Sequence, residues 1–498
     1  MPCLHRLPFV AGLFLCLVAA PARPALGAAT PAATPASLHW PEIEAARHAR
    51  AWITAFNEGE AAMRAMFQEH FSPDAIAARP IEARLGRYRE MKSSEGTLTP
   101  VEIPEINEDG IQVVARTADG RTLTLDFECE AEPPHRIRGI RVMAGGDGPG
   151  GPAGGPGATP TGAPLGDHAA VQAMRDVLAR AAKADSFSGA VLLARDGKPL
   201  LREAWNRADR KTGTPNRPET RFNLGSINKL FTRVAIAQLA QQGKLTLDDP
   251  LTRWLPDWPG ASASRITIAM LAGHRAGIGD IFGPRYDAAD RSKLRHNRDF
   301  IPLFRDEPLW FEPGTSERYS NGGYVLLGEI IARASGKDYY DYMHDHVWGA
   351  AGMTATAYVA TGDTARGVAM GYTRGEDGRG ALAENVSSRP ARGSAAGGGY
   401  STLDDMLRFD QALLANRLCA SGWTAWVLGG PPPSDVRAAA APGGNEKPGF
   451  GFAGGAPGIS AEHMHEGALT LIVLGNLDPP YTQAVAGALR SILRRMKD

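Results

Sequence analysis

The chain has 498 residues, 43% hydrophobic and 22% charged, which fits a globular protein and excludes a disordered or fibrous one. That length exceeds one ordinary domain, so two or three units are expected. Lys+Arg and Asp+Glu both number 54, so no surplus of positive charge points to nucleic acid or an anionic lipid surface.

Residues 1–27 read as a signal peptide. His5 and Arg6 give a weakly basic start, Leu7 to Ala20 is apolar but short for a bilayer, and Ala25-Leu26-Gly27 offers a cleavage motif. An uncleaved anchor is the alternative reading. The expectation is export, to the periplasm or beyond, with no integral membrane domain after signal removal. Of the four cysteines, Cys3 and Cys16 leave with the signal. Cys129 and Cys419 fall in different units, so a disulfide framework is not expected. Nor is a metal or cofactor. His463-Met464-His465 has ligand-like spacing, but in a strand it reads as decoration of one face.

Ala28 to Ser37 is an Ala/Thr/Pro tether. Residues 38–143 form a small α+β unit. Ile43, Ala46, Arg50 and Ile53 lie on one helical stripe, and Ala49, Trp52 and Phe56 on the next, with Gly59 as the stop. Helices are expected at Ala61–Phe71 and Pro80–Met91. Strands follow at Val101–Ile106, Ile111–Thr117, Thr122–Glu128 and Arg136–Val142, with a hairpin turn at Ala118-Asp119-Gly120. Helices followed by an antiparallel meander resemble the cone-shaped fold of the nuclear-transport-factor-2-like (NTF2-like) family. The resemblance is one of pattern and implies a structural or interaction module.

Residues 144–166 are almost entirely Gly, Pro, Ala and Thr, a flexible linker. Residues 167–498 form the second domain. It opens with a helix striped by Val171, Met174, Val177 and Leu178, then a hairpin turning at Asp196-Gly197. It closes with a strand, Leu469–Leu474, and a helix striped by Val485, Leu489, Ile492 and Met496. Strands at both ends around a helical middle imply one antiparallel sheet with a lobe above it and a cleft between.

The chemistry sits in that middle. Phe222-Asn223-Leu224-Gly225 leads into Ser226, and Leu230, Val234, Ala237 and Gln241 trace a helix that Gly243 ends. Lys229 lies three residues after Ser226, on the same helical face. A helix N-terminus disfavours an ammonium, so the amine can be neutral and take a proton from the serine. Alone, Ser-x-x-Lys is weak, because an ordinary capped helix start produces it too. A second signal is Tyr319-Ser320-Asn321, between Glu312-Pro313-Gly314 and an amphipathic helix. Tyr319 beside a lysine can share its proton, and Asn321 offers a donor and an acceptor to a substrate amide or to Lys229.

These residues resemble the class C β-lactamase and penicillin-binding-protein superfamily of serine hydrolases, over about residues 166–498. Its markers are Ser-x-x-Lys, Tyr-x-Asn and a glycine-rich strand. Gly243–Pro250, the stretch from Ile266 through His274-Arg275-Ala276-Gly277, and Gly393–Thr402 also resemble family segments. The resemblance implies a β-lactamase/DD-peptidase-like fold. It implies Ser226 as nucleophile, Lys229 and Tyr319 as general base and then acid, and Asn321 as a substrate contact. The oxyanion would be held by the backbone N–H of Ser226 and of the last-motif strand at Gly454-Gly455. There the chain departs from the family, because Phe452 stands where Lys or His is usual. Phe452 cannot pair with a carboxylate. An esterase or amidase acting on a small substrate is therefore favoured. D-Ala-D-Ala carboxypeptidase or β-lactamase action, or a catalytically degenerate cell-envelope binding protein, are the alternatives.

Overall fold

The computed structural model describes residues 40–107, 110–118, 122–130, 132–145, 164–361, 367–374, 381–433 and 449–496. The signal segment, the Ala28–Ser37 tether, the Asp119-Gly120 turn and most of the 144–166 linker lie outside the described residues.

The N-terminal unit has four helices, α1 (Glu44–Glu58), α2 (Glu60–His70), α3 (Pro73–Ala78) and α4 (Ile81–Glu95). Strands β1 (Thr99–Asn107), β2 (Gly110–Arg116), β3 (Thr122–Cys129) and β4 (Ile137–Gly145) follow as an antiparallel meander in chain order. Trp52, Phe56, Phe67, Leu85, Val113, Leu125 and Phe127 form its core. Two members of the expected α1 stripe face water instead. Ile43 precedes the helix as its cap, and Arg50 is exposed, so the buried face runs through Ala46, Ala49, Trp52, Ile53 and Phe56.

The second unit opens with α5 (Asp167–Lys183) and the hairpin β5 (Gly189–Arg195) to β6 (Lys198–Trp205). Asp196 and Gly197 take φ of 46° and 72°, the left-handed conformation a two-residue hairpin turn requires. Next come β7 (Phe222–Asn223), α6 (Asn228–Gln241), α7 (Asn321–Ser335), β8 (Tyr400–Ser401) and α8 (Leu403–Leu414). The chain closes with β9 (Phe450–Ala456), β10 (Ile459–Glu466), β11 (Leu469–Gly475) and α9 (Pro479–Leu493). The five-stranded sheet has the order β9-β10-β11-β5-β6 and is antiparallel throughout. The two ends of this unit therefore meet where β11 pairs with β5, Gly475 opposite Gly189.

Both faces of the sheet are covered, which is why β5 reads as a continuous apolar run rather than an alternating one. Val191, Leu193, Leu471 and Val473 pack under α5 and α9 with Met174, Leu178 and Leu489. Leu192, Ile472, Leu474 and Ala461 face the helical lobe and its large core. Helix α6 is buried almost all round, a central helix rather than an amphipathic one. His463 and His465 do share one face of β10, and that face is buried. Asp410 of α8 meets them there, its carboxylate 3.2 Å from His463 Nε2 and 3.2 Å from His465 Nδ1. Burial alone would raise the Asp410 carboxyl, but the two histidine hydrogen bonds overcome it and hold it well below the usual range.

Among the described residues no helix is long and apolar enough to cross a membrane.

Candidate active site

Ser226 sits in a single 3-10 turn, Gly225–Ile227, that runs straight into α6. The turn is fixed from two sides. From below, β9 presses so closely that a Cβ on Gly454 would lie 1.9 Å from Leu224 O and 2.8 Å from Ser226 N. Glycine is therefore required there, and the backbone of the last motif touches the peptide of Ser226 itself. From the side, β7 pairs with β8, and Leu224 N donates to Gly399 O at 2.8 Å. Gly225 takes φ of 50°, a value its lack of a side chain allows.

Lys229 lies in the first turn of α6, 6% exposed. Its Nζ is 3.0 Å from Ser226 Oγ, and it donates to Asn321 Oδ1 at 2.7 Å and to Ala396 O at 2.6 Å. Burial pulls the amine down to about 7, with the Asp280 carboxylate opposing. The free base is thereby accessible near neutral pH, where an exposed lysine is an ammonium. That neutral amine has two N–H groups and one lone pair. The two N–H groups match Asn321 Oδ1 and Ala396 O, which leaves the lone pair for the Ser226 hydroxyl.

Tyr319 comes from the loop before α7. Its hydroxyl is 2.6 Å from Ser226 Oγ and 3.4 Å from Asn321 Oδ1, and Lys229 Nζ lies 4.7 Å from the ring centre. Burial pushes the phenol well above its ordinary value, and the hydrogen bond to Ser226 only partly offsets this. Tyr319 is therefore a neutral phenol at rest, and Lys229 is the group of the pair available to accept a proton. The next residue caps α7: Ser320 Oγ accepts from Gly323 N at 3.0 Å and donates to Gly279 O at 2.8 Å.

Three groups to which the sequence assigns no role complete the site, two of them, His274 and Ala396, within the family-like segments. Ala396 contributes its carbonyl from the Gly393–Gly399 turn. Asn297 Oδ1 accepts from Ala395 N, and Thr232 Oγ1 donates to Ala395 O, each at 2.8 Å, so the turn is anchored on both sides. His274 packs its ring 4.6 Å from that of Tyr319, and its Nδ1 accepts from Ser320 N at 3.2 Å. Burial, then the charges of Lys229 and Arg233, lower it to about 3, so it is neutral and adds no competing cation. Asp280 holds Asn321: its Oδ2 accepts from Asn321 N at 2.8 Å, and both its oxygens lie 3.1 Å from Asn321 Nδ2. Both ends of the Asn321 carboxamide are thus engaged within the protein.

Ser226, Lys229, Tyr319 and Asn321 are therefore brought together, with Gly454 and Gly455 lying against the serine turn. Phe452 stands on β9 opposite His463, with its ring 5.7 Å from Phe450 and packed against the lobe core. Two arginines in or beside the family-like segments, Arg275 and Arg392, are engaged within the protein. Arg275 donates to Gly314 O at 2.5 Å, and Arg392 stacks 3.5 Å above the ring of Tyr340. Ser188 is buried and hydrogen-bonded to Asn216.

Residues 173–493 match the Beta-lactamase family model. The chain is 35% identical over 172 residues to penicillin-binding protein 4* of Bacillus subtilis (strain 168), covering 34% of this chain and 38% of that protein. It is 31% identical over 261 residues to esterase EstB of Burkholderia gladioli, covering 46% of this chain and 66% of that protein. The chain thus spans only part of the curated relatives it matches, at most 66% of these two. Among solved structures, it is similar to a penicillin binding protein from Bacillus halodurans, with a TM-score of 0.56 and 27% identity. That match covers 64% of this chain and 99% of the other.

Proposed function

The chain belongs to the Beta-lactamase family and is a serine hydrolase, and from that premise we propose that it acts through an acyl-enzyme on Ser226, with small esters or amides as substrates. One observation carries the reading: a buried amine lowered to about 7, 3.0 Å from the serine hydroxyl, with both its N–H groups already matched to acceptors.

In the proposed cycle Ser226 Oγ attacks the substrate carbonyl while its proton passes to the Lys229 lone pair. The Tyr319 phenol, 2.6 Å from Oγ, relays a proton to the leaving group and is reprotonated from Lys229. Backbone N–H groups of Ser226 and Gly455 hold the oxyanion. Water then attacks the acyl group with the same residues in reversed roles. Lys229 and Tyr319 titrate as a coupled pair, and burial assigns the resting proton to the tyrosine.

Phe452 supports substrates without a carboxylate beside the scissile bond, since an apolar ring offers no counter-charge. The esterase relative points the same way. The penicillin-binding relative favours a second reading, β-lactam or D-Ala-D-Ala peptide acylation, against which Phe452 counts. Export belongs to the proposal too, motivated by the apolar stretch Leu7–Ala20. A mature protein beginning near Ala28 is its test.

A panel tests the substrate reading: p-nitrophenyl acetate and butyrate, a chromogenic cephalosporin and a D-amino-acid peptide, each with wild type and Ser226→Ala. Ester turnover that Ser226→Ala abolishes is expected. Preferential turnover of the cephalosporin or the peptide would favour the second reading. No Ser226-dependent turnover of anything would leave a degenerate binding protein.

A further inference from the structure

We propose that Asp280 is a positioning residue that sets which way the Asn321 carboxamide faces, and through it how Lys229 is held against Ser226; this rests on the acyl-enzyme reading above. The oxygen and nitrogen ends of a carboxamide have nearly the same shape, so its direction is decided by its partners. An ionised carboxylate accepts hydrogen bonds and donates none. Asp280 faces Asn321 with both oxygens 3.1 Å from Nδ2, and Oδ2 also takes the Asn321 backbone N–H at 2.8 Å. It therefore selects the NH2 end, and Oδ1 is left facing Lys229 Nζ at 2.7 Å. The reversed carboxamide would set an oxygen against the carboxylate and an NH2 against the amine, losing both interactions.

The loop that carries Asp280 is itself braced. Asp280 Oδ1 accepts from Phe282 N at 3.0 Å. Ser320 Oγ donates to the neighbouring Gly279 O, and a Cβ on Gly322 would lie 2.3 Å from that same oxygen. Two loops are thus zipped together at the mouth of α7, with Asp280 and Asn321 as the polar contact nearest the amine.

Two consequences follow. The first concerns substrate. The NH2 of Asn321 has two N–H groups, and Asp280 takes up at least one of them, which leaves at most one for an amide carbonyl in the acyl group. The second concerns charge. Lys229 is faced by Tyr319 and Tyr324 from the α7 side, by His274 and Asp280 from the loop after residue 272, and by the Ala396 carbonyl; Arg233 of α6 acts on His274. Burial lowers the amine, and the Asp280 charge opposes that fall.

The test is the pH dependence of kcat/KM for p-nitrophenyl acetate in wild type, Asp280→Asn and Asp280→Ala, with Ser226→Ala as blank and a thermal melt of each. Both variants lose the charge, so the acid limb moves to lower pH in both, by about half a unit or more. Asn keeps one acceptor for Asn321, so its plateau kcat falls less than that of Ala, for which about a tenfold loss is expected. An unmoved acid limb in folded variants, whether or not the rate or melting point changes, overturns the assignment. If wild type shows no Ser226-dependent turnover, the acyl-enzyme reading fails separately. The position of Asn321 is then read from its side-chain NH2 resonances in protein labelled with 15N-asparagine. Asp280→Ala shifts them if the carboxylate holds that end, and unmoved resonances overturn the proposal.

Discussion

Tyr319 Oη lies 2.6 Å from Ser226 Oγ, although 93 residues of chain separate the two. The contact joins two loop ends, one entering α6 and one entering α7, and Lys229 stands beside both. Under the proposed mechanism, proton transfer at the serine depends on how two helix starts are held together.

Tyr319→Phe isolates that contact. The ring keeps its packing against His274 and Lys229 while the hydroxyl is lost. We expect kcat for p-nitrophenyl acetate to fall about 10²–10⁴-fold, the usual range for a positioned acid–base group, with little change in melting temperature. Steady-state kinetics and a melt on the same sample check it.

The resting state of Lys229 predicts the acid limb of the rate. The free amine is the reactive form, and burial places its titration at about 7. The kcat/KM profile should therefore rise through about pH 7 and level off above it. A limb below about pH 5 would mean that a carboxylate, not this amine, is the base.

Gly454→Ala tests the close approach of β9 to the serine turn. Its Cβ would lie 1.9 Å from Leu224 O, which forces either β9 or the turn to move. A loss of about 1–3 kcal/mol in stability is expected, as for other overpacked sites, together with loss of turnover. Chemical denaturation and ester kinetics measure the two effects.

Phe452→Lys restores the family's usual type of residue. Turnover of the chromogenic cephalosporin should rise about tenfold or more relative to p-nitrophenyl acetate. The ratio of the two kcat/KM values reports it, and an unchanged ratio would show that Phe452 does not set the charge preference.

The reasons some of this was readable in sequence are physical. Ser226 and Lys229 lie three residues apart on one helix, so helical spacing alone brings them together. Tyr319 carries no such local signal and is recognisable only through the Tyr-x-Asn resemblance. Asp280 and the Ala396 carbonyl escape sequence reading because their contacts arise from loops packing on loops. The burial of α6 was hidden as well. Asn228 and Thr232 look like surface residues, but they are buried and bonded to Tyr358 and Tyr339. Strand alternation puts His463 and His465 on one face, but Asp410, their partner on a different element, carries no sequence signal.

The central claim is that Ser226 is the acylated nucleophile, and a fluorophosphonate probe followed by intact mass measures it most directly. One adduct per chain is expected, mapped to Ser226 by peptide sequencing and absent in Ser226→Ala. Equal labelling of Ser226→Ala, or none in folded wild type, would contradict it.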